Sequence, residues 1–319
     1  MEFYYHNILI GRKVDPLRII VMGTAGTGKT YLIKAIRNRL REMAGIEYKS
    51  PVLVLALTGV AAYNINRMII HSTLSIPIII KNLDINGERL NELQDRLQNV
   101  SYIIIDEKSM VGQRTLAIID MWLHQVFPEH NNEPFSGRSV IMFSDFSQLP
   151  PILDLPMYTN NLRELLSNDN FAAYKLFREV YKLDIIQHQS ENSREQQNFR
   201  DILLRLHNGE STLDDWKTLT IWLEDKLSKI ERDSFSNAMF ILTKWSDVDI
   251  ININQLRSLN SPVAKIQAAY TDGIKAKMAD ADLAYGLEVE LLLARGAQVM
   301  LTANLWTEFG LINGSMGTV

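Results

Sequence analysis

Four apolar runs mark the first half of the chain: "LRIIVM" (17–22), "VLVLAL" (52–57), "YIIID" (102–106) and "SVIMF" (139–143). Each reads as a buried strand. Between them the apolar period changes. Ile33, Ile36, Leu40 and Met43 recur at helical spacing after Lys29, and Leu116, Ile119, Trp122, Leu123 and Val126 do so before the fourth run. Unbroken apolar strands alternating with helices predict a parallel sheet covered on both faces, hence an α/β fold.

The first run enters "GTAGTGKT", Gly23 to Thr30. This is G-x-x-x-x-G-K-[ST] with a strand before it and a helix after it, the context the motif requires. Glycines let backbone N–H groups turn inward around phosphate oxygens, and the following helix directs its positive end at them. Gly23, Thr24, Ala25, Gly26, Thr27, Gly28, Lys29 and Thr30 are therefore the candidate ATP-binding residues. Lys29 is expected to reach the β- and γ-phosphates, and the Thr30 hydroxyl to ligate Mg²⁺. A glycine-rich turn that binds nothing is the competing reading, disfavoured because every motif position matches.

The third run ends "IIIDEKSM", which sets Asp106 at the carboxyl end of a buried strand, where α/β sheets place their ligands. Asp106 is the candidate Mg²⁺ partner, and Glu107 the residue that activates the attacking water. A solvated Asp-Glu pair at a strand exit is common; the upstream phosphate loop is what gives this pair its meaning. The fourth run breaks into "SDFSQLPP", and turn residues such as Asp145, Ser147, Pro150 and Pro151 also suit an ordinary strand exit. Beside a nucleotide site, the Gln148 amide, which both donates and accepts, is a candidate γ-phosphate sensor. Pro150 and Pro151 would stiffen the chain beyond Gln148, so that a change at Gln148 moves the whole segment.

Composition narrows the class. The chain has 319 residues, 46% hydrophobic and 22% charged, which suits about two domains. Lys and Arg number 33 against 37 Asp and Glu, a formal charge of -4, so any nucleic acid must be held by a local groove. There is no cysteine, which excludes disulfides, thiolate catalysis and Cys-based zinc sites. The six histidines show no pair at ligand-like spacing, so a metal site built by the protein alone is not expected. No apolar stretch approaches the about 18 residues of a membrane span, and the N-terminus lacks a signal-peptide core. An intracellular protein without membrane contact is expected, nuclear or mitochondrial if eukaryotic.

"GTAGTGKT", "LTGVAAYNI…IIHS" (57–72), "IIIDEKSM", "SDFSQLPPI" and "GAQVMLTANL…GLINGSMGTV" (296–319) stand in the order of the superfamily 1 helicase motifs. The chain resembles the Pif-type, RecD-related 5′-to-3′ DNA helicases, including the helicase portions of Helitron-like transposons, from about Leu17 to Val319. "DFSQLPP" and "GLINGSMG" are specific to that group and argue against another P-loop ATPase or a kinase. The resemblance implies two RecA-like lobes with parallel sheets, the second incomplete. It places lobe 1A at 1–165 with a short 1B-like insertion about 73–90, a linker at 166–182 and part of lobe 2A at 183–319. It implies ATP and Mg²⁺ between the lobes and single-stranded DNA across them, in DNA repair, recombination or telomere maintenance.

Residue by residue, the resemblance gives Lys29, Asp106, Glu107 and Gln148 to catalysis. It gives Thr58, Gly59, His71, Ser72, Asn313, Gly314 and Ser315 to DNA contact. Small hydroxyls and backbone N–H groups can hold phosphates without net charge, and Tyr63 either packs or stacks a base. Two departures stand out. His188 occupies the place of a family arginine that reaches the γ-phosphate, and His207-Asn208 replaces a second. The chain also stops at Val319, just past "NGSMG", so a further segment or chain is expected to complete lobe 2A. The two expectations are a motor helicase, and a degenerate relative that binds ATP or DNA with little unwinding.

Removing the Lys29 ammonium should weaken ATP-Mg²⁺ binding by about tenfold or more, the worth of one charge-assisted contact. Calorimetry on Lys29→Ala checks this; unchanged affinity would refute the phosphate-loop reading.

Overall fold

The computed structural model describes residues 6–7, 10–12, 14–45, 50–56, 68–70, 87–145, 148–152, 154–159, 173–187, 193–235, 238–269, 288–303, 305–306 and 309–319. It divides into two units, Met1–Asp201 and Ile202–Val319.

The first unit is built on the four expected strands: β1 (Arg18–Gly23), β2 (Val52–Ala56), β4 (Tyr102–Ile105) and β5 (Ser139–Ser144). Two more join them, β3 (Met68–Ile69) and β6 (Glu179–Leu183), in the order β3-β2-β4-β5-β1-β6. Every pairing is parallel. β2, β4 and β5 are buried along their whole length, as continuous apolar runs require when both faces are covered. One face packs under α1 (Lys29–Ala44), where Ile33 and Leu40 are buried and Ile36 and Met43 flank them. The other packs under α2 (Gly87–Leu97) and α3 (Gln113–Val126), through Leu93 and Leu97 and through Leu116, Ile119, Trp122, Leu123 and Val126. The strands alternate their side chains between these layers: Ile103 and Ile105 face one, Tyr102 and Ile104 the other.

Parallel strands all point the same way. The residues leaving β1, β4 and β5 therefore emerge at one edge of the sheet, and that shared edge gathers the candidate nucleotide-site residues.

Several expectations change. Residues 166–182 are expected as a linker, yet Glu179–Lys182 lie in β6, hydrogen-bonded to β1. The division by contacts falls at Asp201–Ile202 instead. Of the insertion expected about 73–90, residues 73–86 lie outside the described residues, and 87–90 begin helix α2.

In the second unit, α4 (Arg194–Asn208) contributes its C-terminal part, followed by α5 (Leu213–Leu219), α6 (Lys229–Ser234) and α7 (Trp245–Ser258). Two of these helices start on capping boxes, Thr212 with Asp215 and Ser228 with Glu231, which satisfy orphan N–H groups on both sides of each cap. Arg205 Nε donates to Asp215 at 2.8 Å, and this guanidinium holds the Asp215 carboxyl well below the usual carboxylate range. Parallel sheets are expected in both lobes. Among the described residues of this unit the strands instead pair antiparallel: β7 (Val263–Gln267) with β8 (Glu290–Ala294), and β9 (Gln298–Met300) with β10 (Met316–Thr318).

Ile104 is fully buried at the middle of the central strand β4. Ile104→Ala should destabilise the first unit by about 2–5 kcal/mol through lost burial and a residual cavity. Denaturant unfolding checks this, and a loss under about 1 kcal/mol would contradict the packing.

Candidate nucleotide and phosphoryl-transfer site

The loop between β1 and α1 is shaped by its glycines. Gly26 (φ 80) and Gly28 (φ 89) occupy the left-handed region that a Cβ disfavours. Gly23 ends β1 where a Cβ would collide with the Thr27 hydroxyl and stand 3.1 Å from Leu183 Cβ. The loop is then closed by its own bonds. Thr27 Oγ1 donates to the Thr24 carbonyl at 2.8 Å, and the Gln187 amide donates to the Gly26 carbonyl at 2.8 Å. The second bond ties the loop to the stretch leaving β6.

Lys29 opens α1 and bends back across the loop. Its Nζ donates to the carbonyls of Gly23 (2.7 Å) and Thr24 (3.0 Å). Burial lowers its pKa, and the carboxylates of Asp145 and Glu107 oppose that shift. The ammonium therefore lies within the field of two acidic side chains delivered by β5 and β4. Thr30 follows in the first helical turn and is exposed.

Asp106 directly follows β4. It is 4% exposed, and its amide donates to the Leu55 carbonyl at 2.9 Å. Glu107 is half-buried and takes the left-handed conformation, φ 53 and ψ 45, without being glycine. Such a backbone costs about 1–2 kcal/mol and persists only where surroundings impose it. Here it starts the short turn Lys108–Met110, with Met110 N–H donating to the Glu107 carbonyl at 3.0 Å. The twist turns the chain off the line of the strand and leaves the Glu107 carboxylate within the field of Lys29.

Asp145 follows β5 and is 5% exposed. Gln148 folds back on it: the Gln148 amide donates to the Asp145 carbonyl at 3.1 Å, and Nε2 lies 3.5 Å from Oδ2. Beyond Gln148, Leu149 and Pro150 are exposed.

The sheet thus brings Gly23–Thr30, Asp106, Glu107 and Gln148 to one edge. It adds two residues that sequence reasoning leaves out of the site, Asp145 as a charge partner of Lys29 and Gln187 as the tie to Gly26. Asp145 was visible in the strand exit; Gln187 had no motif signal. Asn313, Gly314 and Ser315 lie in the second unit. They form the turn entering β10: Gly314 has φ 92, its amide donates to the Leu301 carbonyl at 2.8 Å, and Ser315 Oγ donates to the Gly310 carbonyl at 2.7 Å. Thr58, Gly59, Tyr63, His71, Ser72 and His188 lie outside the described residues.

The donor set fits Mg²⁺. Thr30 and Asp106 offer hard oxygen ligands at this edge. That suits an ion taking one or two protein ligands and completing its shell with substrate phosphates and water.

A parallel α/β sheet with a phosphate loop after its first strand, a buried aspartate and a glutamate after β4, and a glutamine beyond β5, the strand between those two, defines a P-loop nucleoside triphosphatase. Family comparison goes further. The model of the PIF1-like helicases matches residues 7–217, and the chain belongs to that family. It is 28% identical over 316 residues to the Xenopus laevis ATP-dependent DNA helicase PIF1, covering 98% of this chain and 45% of that protein. It is 25% identical to the Saccharomyces cerevisiae ATP-dependent DNA helicase RRM3, over 98% of this chain and 41% of that one. The chain therefore spans under half the length of these relatives.

Among solved structures it is similar to a Bacteroides Pif1 helicase in complex with ADP-AlF3 and ssDNA: TM-score 0.64, 27% identity, 99% of this chain and 68% of that one. A Candida albicans Pif1 helicase shares the fold at TM-score 0.71 and 24% identity, over 100% of this chain and 67% of that one. The RecA-like α/β architecture expected from the sequence is the one these neighbours share.

The left-handed backbone at Glu107 can be tested apart from chemistry. Glu107→Gly should be more stable than Glu107→Ala by about 1 kcal/mol, because only glycine relieves the strain. Elsewhere in ordered structure alanine is the more stable of the two, so a higher denaturation midpoint for the alanine variant would contradict this backbone.

Proposed function

We propose that this chain carries the nucleotide machinery of an ATP-dependent DNA helicase that moves 5′ to 3′ along single-stranded DNA. The observation that carries the reading is the placement of Lys29 at the edge of the sheet in the field of Glu107 and Asp145, beside a phosphate loop tied by Gly26 to the chain beyond β6. The Bacteroides neighbour, a complex with ADP-AlF3 and ssDNA, supports the same reading.

In this mechanism the inward N–H groups of Gly23–Thr30 bind the phosphates of ATP, and Lys29 leaves the loop carbonyls for the β- and γ-oxygens. Thr30 and Asp106 would hold Mg²⁺, which would supply neutralising charge to the phosphate oxygens. Glu107 orients a water and accepts its proton. Gln148 reads the γ-phosphate and passes its loss to the Pro150–Pro151 segment. The DNA strand is held by Thr58, Gly59, His71, Ser72 and Asn313–Ser315. Repair, recombination and telomere maintenance, in a nucleus or mitochondrion, are the settings this activity suits. Among the described residues no helix is long and apolar enough to cross a membrane.

One observation favours a slower variant of this reading. His188 stands where the family resemblance implies an arginine, and such arginines are worth roughly 10³–10⁵ in rate. An imidazole is shorter and mostly neutral at pH 7, so nucleotide binding is retained while turnover falls.

ATP hydrolysis measured with and without a single-stranded oligonucleotide tests the proposal. The expected result is a slow basal rate stimulated by single-stranded DNA, abolished in Glu107→Gln with ADP affinity kept, and raised in His188→Arg. A rate indifferent to DNA and to Glu107 would overturn it.

A further inference from the structure

Lys108 directly follows Glu107 and is 1% exposed. Lysine is almost never buried this fully, because removing water from its ammonium is costly. The side chain runs from the β4 exit to Tyr174, whose ring centroid lies 5.3 Å from Nζ. Tyr174 stacks in turn on Phe177 (6.5 Å), just before β6. Lys108 also lines a cavity of about 30 Å³, together with Gln148, Pro150, Pro151 and Tyr158. A cavity of that size, lined by polar and apolar groups together, accommodates a water or two. One buried side chain therefore borders the Glu107 turn, the Gln148–Pro151 segment and the stretch that feeds β6.

We propose that Lys108 is a positioning residue for ATP hydrolysis: across this cavity it holds the strained Glu107 turn in register with the Gln148 segment. The proposal rests on the hydrolase reading under Proposed function. An apolar side chain of the same length would fill the space at lower desolvation cost, so packing alone does not account for a lysine here. Glu107 must sit within a fraction of an ångström of its water, and its left-handed backbone is held locally by a single short turn, Lys108–Met110. A donor at the end of a rigidly packed stem supplies that constraint and links it to the residue proposed to sense the γ-phosphate.

Lys108→Met keeps the unbranched stem and removes the donor. The expected result is an unchanged or higher melting temperature, unchanged ADP affinity, and kcat lower by roughly tenfold to hundredfold, the scale of a small misplacement. Combined with Gln148→Ala, it should lower kcat little beyond the worse single variant, because on this proposal both act on the same segment across the shared cavity. Full kcat in Lys108→Met, or strictly multiplicative effects with Gln148→Ala, overturns the proposal. So does a Met variant that melts well below the wild type and loses kcat and ADP affinity together, since the lysine then serves stability alone. A wild-type chain that binds ADP yet hydrolyses no ATP with Mg²⁺ and single-stranded DNA overturns the hydrolase reading and this proposal with it. A wild type that hydrolyses beside an unimpaired Met variant overturns this proposal only.

Discussion

A lysine ammonium, two carboxylates and a glycine-shaped loop share one edge of the parallel sheet, and their mutual electrostatics set the character of that edge. Lys29 is half-buried, which disfavours its charge, and Asp145 and Glu107 restore part of what burial removes. A triphosphate brings far more negative charge to the same place. It would draw Lys29 off the Gly23 and Thr24 carbonyls and set its oxygens against both carboxylates. A divalent cation relieves that repulsion, which is why the acidic pair and the phosphate loop make chemical sense only together.

This arrangement depends on strand direction more than on any single contact. β1, β4 and β5 are parallel, with β5 between the other two, so the loop, the Asp106–Glu107 turn and the Asp145–Gln148 exit need no long excursion to meet. The interior of β2, β4 and β5 is apolar throughout, and polar residues cluster at the strand exits, where water and ligand can solvate them. Strain appears at the same edge. Glu107 is held left-handed without a glycine, as active-site residues are when geometry outweighs local preference.

Much of this was legible in the sequence. The four central strands are continuous apolar runs, and the phosphate loop, Asp106, Glu107 and Gln148 follow from motifs whose chemistry dictates residue type. The elements that escaped did so for physical reasons. β3 is only Met68–Ile69, too short for any periodicity. β6 is an edge strand, "EVYKL", with Val180 and Tyr181 exposed, so it shows no buried run. In the second unit the strands β7–β10 are short and mostly exposed, and their antiparallel pairing leaves no pattern distinct from loop. The burial of Lys108 leaves no mark in the sequence because it depends on neighbours far along the chain, here Tyr158 and Tyr174. Gln187 acts through its backbone, which carries no residue-type signal.

Under the proposed function, the state of the nucleotide at this edge governs the grip on a nucleic-acid strand. The most direct measurement is the affinity of a fluorescent single-stranded oligonucleotide at fixed salt, with ADP, with a non-hydrolysable ATP analogue, and with neither. Two linked sites must show a coupling free energy, about 1–3 kcal/mol for typical allosteric pairs, so affinities should differ by about 5- to 150-fold between the ADP and ATP-analogue states. That difference should disappear in Gln148→Ala. Tight binding that is identical in all three nucleotide states would contradict the account.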